Sequence, residues 1–246
     1  MDPLPEIKVL PNAEHVAYEA AERVVRSADE NIALSDRFSL ALSGGSTPKL
    51  LYGLLVEQFA DAVDWAKVEI FFGDERCVPP GHPESNYRVA HETLLSKLPI
   101  PGDNVYRMRG EIEPEEAARE YGLMLKEKFG DRGLDMVLLG MGDDGHTASL
   151  FPGTPAVNEQ HHRVVANYAE KSTTGKSWRI TLTAPFINRS REVVILVAGA
   201  GKAKTLAEVL EGPRQPQRFP VQLIQPASGK LTWLTDAAAA GMDVPP

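Results

Sequence analysis

The segment Leu134-Asp-Met-Val-Leu-Leu-Gly-Met-Gly-Asp-Asp-Gly-His-Thr-Ala-Ser-Leu-Phe-Pro-Gly153 places one titratable imidazole, His146, inside a glycine turn. Apolar Met136 to Leu139 suits a strand covered on both faces. The glycines that follow let the backbone turn sharply and approach a ligand. In open α/β sheets, ligands sit beyond the carboxyl ends of strands, where an imidazole can act as a general base near neutral pH. Asp143 and Asp144 lie beside His146, and a carboxylate there fixes the imidazole tautomer and raises its basicity.

Three further groups of residues could share that chemistry. In Phe38-Ser-Leu-Ala-Leu-Ser-Gly-Gly-Ser-Thr-Pro48 a strand runs into the turn Ser43, Gly44, Gly45, Ser46, Thr47. Thr47 reads as the N-cap and Pro48 as the first residue of the next helix. Such a start offers free N–H groups and a positive dipole end to an anion. The turn is neither a P-loop nor a Gly-x-Gly-x-x-Gly fingerprint. It is a phosphate or carboxylate cradle without nucleotide, or else only a tight, well-capped turn.

In the second group, Asp74, Glu75 and Arg76 follow directly on a strand that ends at Gly73. Arg76 and Arg88 are candidates to grip an anion with planar donor forks, against the alternative of a salt-bridged surface loop. Cys77 reads as a bystander thiol, since no histidine arrangement accompanies it. In the third group Arg179 opens a strand, and Lys202 and Lys204 lie at a helix start, where cations oppose the macrodipole. A bound anion or plain exposure would compensate, with Lys204 favoured over Lys202 as ligand-facing. The residues argue against a metal: His146 has no second histidine at helical spacing, and His161-His162 lies in a polar stretch.

The elements that must hold these residues alternate. Helical patterns cover Asn12 to Ser35, Pro48 to Phe59, Ser85 to Lys97, Glu113 to Phe129 and Ala200 to Leu210. Strand patterns cover Arg37 to Leu42, Val68 to Phe72, Met136 to Leu139 and Val193 to Val197. Arg163 to Ala166 and Trp178 to Leu182 read as strands joined by the polar loop Glu170 to Ser177. Pro213 to Pro220 reads as a surface loop. The alternation implies βαβ units: a three-layer, Rossmann-like α/β domain over residues 1–246, with a mostly parallel sheet and helices on both faces.

The chain has 246 residues, 43% of them hydrophobic and 24% charged, with net charge −8. That composition is ordinary for a globular protein, and the acidic balance argues against nucleic acid. A single cysteine excludes an internal disulfide framework and suits a reducing, cytoplasmic compartment. No signal peptide or membrane span is expected. An anionic ligand would need a local cluster of cations and amides.

Taken together, Leu42-Ser-Gly-Gly-Ser-Thr-Pro48, Gly73-Asp-Glu-Arg76, Glu84-Ser-Asn-Tyr-Arg88, Leu139 to Pro152, Arg179-Ile-Thr-Leu-Thr183 and Gly201-Lys-Ala-Lys204 resemble the 6-phosphogluconolactonase family, in its order and over nearly the whole chain. The resemblance implies the fold of the sugar-phosphate isomerase group and hydrolysis of 6-phosphoglucono-1,5-lactone, with no cofactor or metal. It implies His146 as general base, Asp144 orienting it, and Arg76 stabilising charge near the carbonyl or holding the sugar. Ser43, Gly44, Gly45, Ser46, Thr47, Asp74, Arg88, Arg179 and Lys204 would bind phosphate and ring hydroxyls. The partner is then a small sugar-phosphate lactone, and the protein a monomer or weak dimer. The loop Lys171-Ser-Thr-Thr-Gly-Lys176 departs from the proline-rich stretch of many relatives, so either lysine is a candidate for the substrate. The nearest rival, glucosamine-6-phosphate deaminase, continues after the histidine towards Asn-Glu-Pro, whereas this chain continues Thr147-Ala-Ser-Leu-Phe-Pro152. A non-catalytic sugar-phosphate sensor would need a DNA-binding segment, for which the residues before the first phosphate turn leave little room.

Overall fold

A computed structural model describes residues 5–169 and 178–242. The chain runs β1 (Glu6–Leu10), α1 (Ala13–Ser35), β2 (Phe38–Leu42), α2 (Ser46–Gln58), β3 (Val68–Phe72), β4 (Asp74–Arg76), α3 (Asn86–Ala90) and α4 (Pro114–Phe129). It continues through β5 (Met136–Gly140), β6 (Val164–Tyr168), β7 (Trp178–Leu182), α5 (Ala184–Ile187), β8 (Glu192–Val197), α6 (Ala203–Leu210) and β9 (Lys230–Asp236). Among the described residues, six strands form a parallel sheet in the order β1-β9-β8-β5-β2-β3, and β4-β7-β6 form a small antiparallel sheet.

Local chemistry accounts for the elements. Asn12 caps α1 by accepting the His15 N–H at 3.0 Å, and Asp36 closes it in the left-handed region at φ 59°. Pro114 opens α4 with Glu115 and Glu116 in its first turn, where acids favour the dipole. Strands β2, β5 and β8 are mostly apolar, broken only by Ser39 in β2 and Glu192 at the start of β8, because helices cover both faces of the sheet. One face packs Leu40, Met136 and Val194 against α1 and α2, and the other packs Val137, Leu139 and Ile195 with α4. Ile180 and Leu182 of the small sheet join the second cluster.

Several boundaries differ from the sequence reading. Helix α2 begins at Ser46 with Gly45 as N-cap at φ 117°, so Thr47 and Pro48 sit inside the first turn. Proline is accepted there because first-turn N–H groups have no helical acceptor anyway. Asp74 to Arg76, read as charges that follow a strand ending at Gly73, form a strand of their own and pair with β7. Strand β9 went unread because Lys230, Thr232, Thr235 and Asp236 break its apolar pattern. In the stretch read as a surface loop, Phe219 and Pro220 are buried. The loop Glu170 to Ser177, with Lys171 and Lys176, lies outside the described residues.

The strand order reverses between β2 and β5, whose ladder registers only Leu40 with Met136 and Ala41 with Val137. Side chains reinforce that seam. Asp135 Oδ2 accepts the Ser39 N–H at 2.9 Å and the Ser39 hydroxyl at 2.7 Å, while Ser39 Oγ accepts the Asp135 N–H at 2.9 Å. Replacing Ser39 by alanine leaves the half-buried Asp135 N–H without its acceptor, which costs about 1 kcal/mol. Urea unfolding should show a lower midpoint with unchanged slope, and a wild-type midpoint would mean that the seam does not depend on this pair.

Candidate active site

Because the sheet reverses at β2 and β5, their carboxyl ends diverge and open a cleft of about 390 Å³. The turn after β2 forms one wall. The Tyr52 hydroxyl accepts the Ser43 N–H at 3.1 Å and donates to the Ser43 carbonyl at 2.7 Å. Burial pushes the Tyr52 phenol far up, so it stays protonated. With its backbone tied, Ser43 leaves its Oγ in the cleft wall, 8% exposed as a residue and with no hydrogen-bond partner among the described residues. Gly44 to Thr47 carry the wall into the first turn of α2.

The small sheet supplies the charges of the opposite wall. Asp74 Oδ2 accepts from the Ser149 hydroxyl at 2.6 Å, and the Asn86 amide donates to Asp74 Oδ1 at 3.1 Å and to its carbonyl at 2.9 Å. Arg76 donates to the Glu84 carbonyl at 2.6 Å. The β4–β7 register sets Arg76 directly opposite Arg179, and both line the cleft. Burial, followed by the Arg76 charge, lowers the pKa of Arg179, while Asp74 works in the other direction. Like charges directly opposite across a ladder oppose each other, and an anion between them relieves this.

The turn after β5 carries the imidazole. Gly142 N–H donates to the His146 carbonyl at 2.8 Å, and the Thr147 hydroxyl closes the loop on the Gly140 carbonyl at 2.8 Å. His146 Nδ1 meets Asp144 Oδ1 at 2.6 Å, and the same oxygen accepts the His146 N–H at 3.1 Å. A carboxylate partner requires the proton on Nδ1, which leaves Nε2 as the acceptor. Burial works to raise the Asp144 carboxyl, but the His146 hydrogen bond and charge outweigh it and hold it below the usual range. The ring packs on Phe151 with centroids 4.5 Å apart. No side chain fits at Gly142, where a Cβ would overlap the imidazole. Behind the turn, Val221 N–H donates to the Gly145 carbonyl at 3.0 Å and Phe219 lies against Gly145.

Of the residues named from sequence, Ser43, Gly44, Gly45, Ser46, Thr47, Asp74, Arg76, His146 and Arg179 line this cleft, and Asp144 supports His146 from behind. Arg88 and Lys204 do not line it. Arg88 pairs with Glu92 at 2.7 Å, one helical turn on, and also reaches the Gly81 carbonyl at 3.2 Å. Lys202 lines the cleft instead of Lys204, tethered to Asp143 at 2.5 Å. Successive helical residues rotate by about 100°, so positions two apart face nearly opposite ways. Asn86 and Ser149 stand inside blocks that carry the resemblance, but they were not named as site residues because only the fold brings both against Asp74. Phe219 was missed because a lone aromatic in a polar loop gives no periodic signal. Among the described residues, no group of three His, Cys, Asp or Glu side chains could hold a metal ion. No described helix is long and apolar enough to cross a membrane.

Comparison with known proteins bears on the family and the fold. Residues 11–233 match the family model described as glucosamine-6-phosphate isomerases/6-phosphogluconolactonase. The chain is 39% identical to a 6-phosphogluconolactonase of Synechocystis over 241 residues, covering 96% of this chain and 97% of the relative. It is 39% identical to a probable chloroplastic 6-phosphogluconolactonase of Oryza sativa subsp. indica, covering 93% of this chain and 73% of the relative. The solved 6-phosphogluconolactonase of Trypanosoma cruzi superposes with a TM-score of 0.86 at 29% identity, over 98% of this chain and 97% of that one.

Cys77, half-buried beside the cleft strand β4, has its thiol pushed up to about 11 by burial, with the Arg179 charge acting the other way. A raised pKa keeps the unreactive thiol form across neutral pH. The rate of labelling by a thiol reagent should therefore keep climbing about tenfold per pH unit up to pH 10. A plateau near the ordinary thiol value of 9.0 would contradict the burial argument.

Proposed function

Since the chain belongs to the glucosamine-6-phosphate isomerase/6-phosphogluconolactonase family, we propose that it hydrolyses 6-phospho-D-glucono-1,5-lactone to 6-phospho-D-gluconate, the second step of the oxidative pentose phosphate pathway. The observation that carries this reading is the Asp144–His146 pair at 2.6 Å, which leaves Nε2 as a base in a cleft walled by cations and an unpartnered hydroxyl. The proton of a water molecule passes to His146 Nε2 as its oxygen attacks the lactone carbonyl carbon. Asp144 holds the ring and balances the imidazolium that forms. Arg76 stands towards the developing oxyanion. The bond from the carbonyl carbon to the ring oxygen then breaks, and His146 returns the proton to that oxygen.

The phosphate dianion lies where donors concentrate: the Ser43 hydroxyl, the first turn of α2, Arg179 and Lys202. Arg88 and Lys204 have no part in this binding set. A monomer or weak dimer as the working form belongs to this proposal. A reducing compartment such as the cytoplasm belongs to the same proposal, because Cys77 is the single thiol.

Hydrolysis is favoured over sugar deamination by the residues after the imidazole. Thr147 binds the Gly140 carbonyl, Ser149 binds Asp74, Leu150 is buried and Phe151 backs the ring. No carboxylate stands among residues 147–152 to serve as the second acid–base group that ring opening needs. Freshly prepared lactone should disappear faster with the protein than in an enzyme-free control, and ammonia release from glucosamine 6-phosphate would reverse the assignment. His146→Asn, folded and purified, should lose about two to four powers of ten in turnover. Unchanged turnover would remove His146 from the mechanism.

A further inference from the structure

Glu75 lies between the two cleft-facing residues of β4 and, by strand alternation, points to the other side. It is 3% exposed. Its Oε1 accepts the Arg76 N–H at 2.7 Å and the Asn86 N–H at 2.7 Å. Its Oε2 accepts the Tyr87 N–H at 2.8 Å and the Ser85 hydroxyl at 3.0 Å. These donors are all neutral. Burial pushes the carboxyl above its ordinary range, and the backbone N–H bonds pull it back. A desolvated carboxylate is costly to keep unless its hydrogen bonds serve the structure around it.

The donors belong to two pieces of chain that meet at Arg76. One is the Arg76 backbone itself. The other is the segment 85–87, and the residue just before it, Glu84, presents the carbonyl that accepts from the Arg76 guanidinium at 2.6 Å. One carboxylate therefore grips both ends of the Arg76 tether. Gly110 closes the remaining side, since a Cβ there would overlap the Arg76 carbonyl oxygen.

We propose that Glu75 is a positioning residue of the lactonase site, fixing the Arg76 guanidinium against the substrate by clamping its backbone and the Glu84 carbonyl together. This rests on the proposed lactonase function. Glutamine at 75 keeps the shape but turns an N–H₂ group towards donors, which loosens the clamp. A displacement of about 1 Å at a positioning group can cost up to a hundredfold in rate.

The test is a double-mutant cycle in kcat/KM on freshly prepared 6-phosphogluconolactone: wild type, Glu75→Gln, Arg76→Ala and the double variant, each shown to be folded by near-ultraviolet circular dichroism. Glu75→Gln should lower kcat/KM about tenfold when Arg76 is present and less than threefold when it is absent. Equal falls in both backgrounds would mean a general structural role and overturn the proposal, as would a folded Glu75→Gln variant within twofold of wild type. If Glu75→Gln does not fold, Ser85→Ala removes one donor from the clamp. Its expected fall of about threefold must likewise vanish in the Arg76→Ala background, and additivity there overturns the proposal. A wild-type protein with no rate above the enzyme-free control would remove the lactonase reading itself, before any variant is compared.

Discussion

The seam between β2 and β5 is the constraint on which the rest depends. The strand order reverses there, so the chains leaving the two strands depart to opposite sides and a crevice opens between them. The turn from β2 brings helix-start amides that have no side-chain cap among the described residues, and the Ser43 hydroxyl. The turn from β5 brings His146 and Asp144. Neither turn makes a site alone. Backbone pairing at the seam is short, and the mutual Ser39–Asp135 hydrogen bonds hold the two strands together at the end away from the crevice.

The electrostatics of the crevice run against those of the whole molecule. The chain carries net charge −8, yet the crevice wall gathers Arg76, Arg179 and Lys202. Arg179 is buried opposite Arg76, and burial and that neighbouring charge both disfavour its protonated form. The small antiparallel sheet enforces this arrangement, because its register sets the two side chains on one face. Under the proposed function, an anionic ligand is the counter-charge for this cluster, which lets a negatively charged protein hold an anion locally.

The site is also stiff. His146 is held by Asp144, packed on Phe151 and backed through Gly145 by Phe219 and Val221. Asp74 is held by Ser149 and Asn86, and Arg76 by Glu84. Groups whose rotamers are locked in this way need little reorganisation when charge develops, and preorganised electrostatics of that kind supplies much of enzymatic rate enhancement.

Much of the fold was legible because buried parallel strands and amphipathic helices have periods that survive without tertiary context. The runs at Met136 to Leu139 and Val193 to Val197, and the helix opened by Pro114, stand in the structure close to where the pattern puts them. Strand β9 and the pairing of β4 were not legible, since charged or polar residues in them are justified only by distant partners. The sequence by itself determined the turn chemistry: glycines where a side chain would collide, an imidazole two residues from a carboxylate, and hydroxyls at a helix start. Only the tertiary structure decided which cations line the crevice. Arg88 and Lys204 have the right type and neighbourhood but do not line the crevice, whereas Lys202 does. Residue type is local information, but the direction of a side chain depends on the rotation of its helix or the register of its strand, which packing sets.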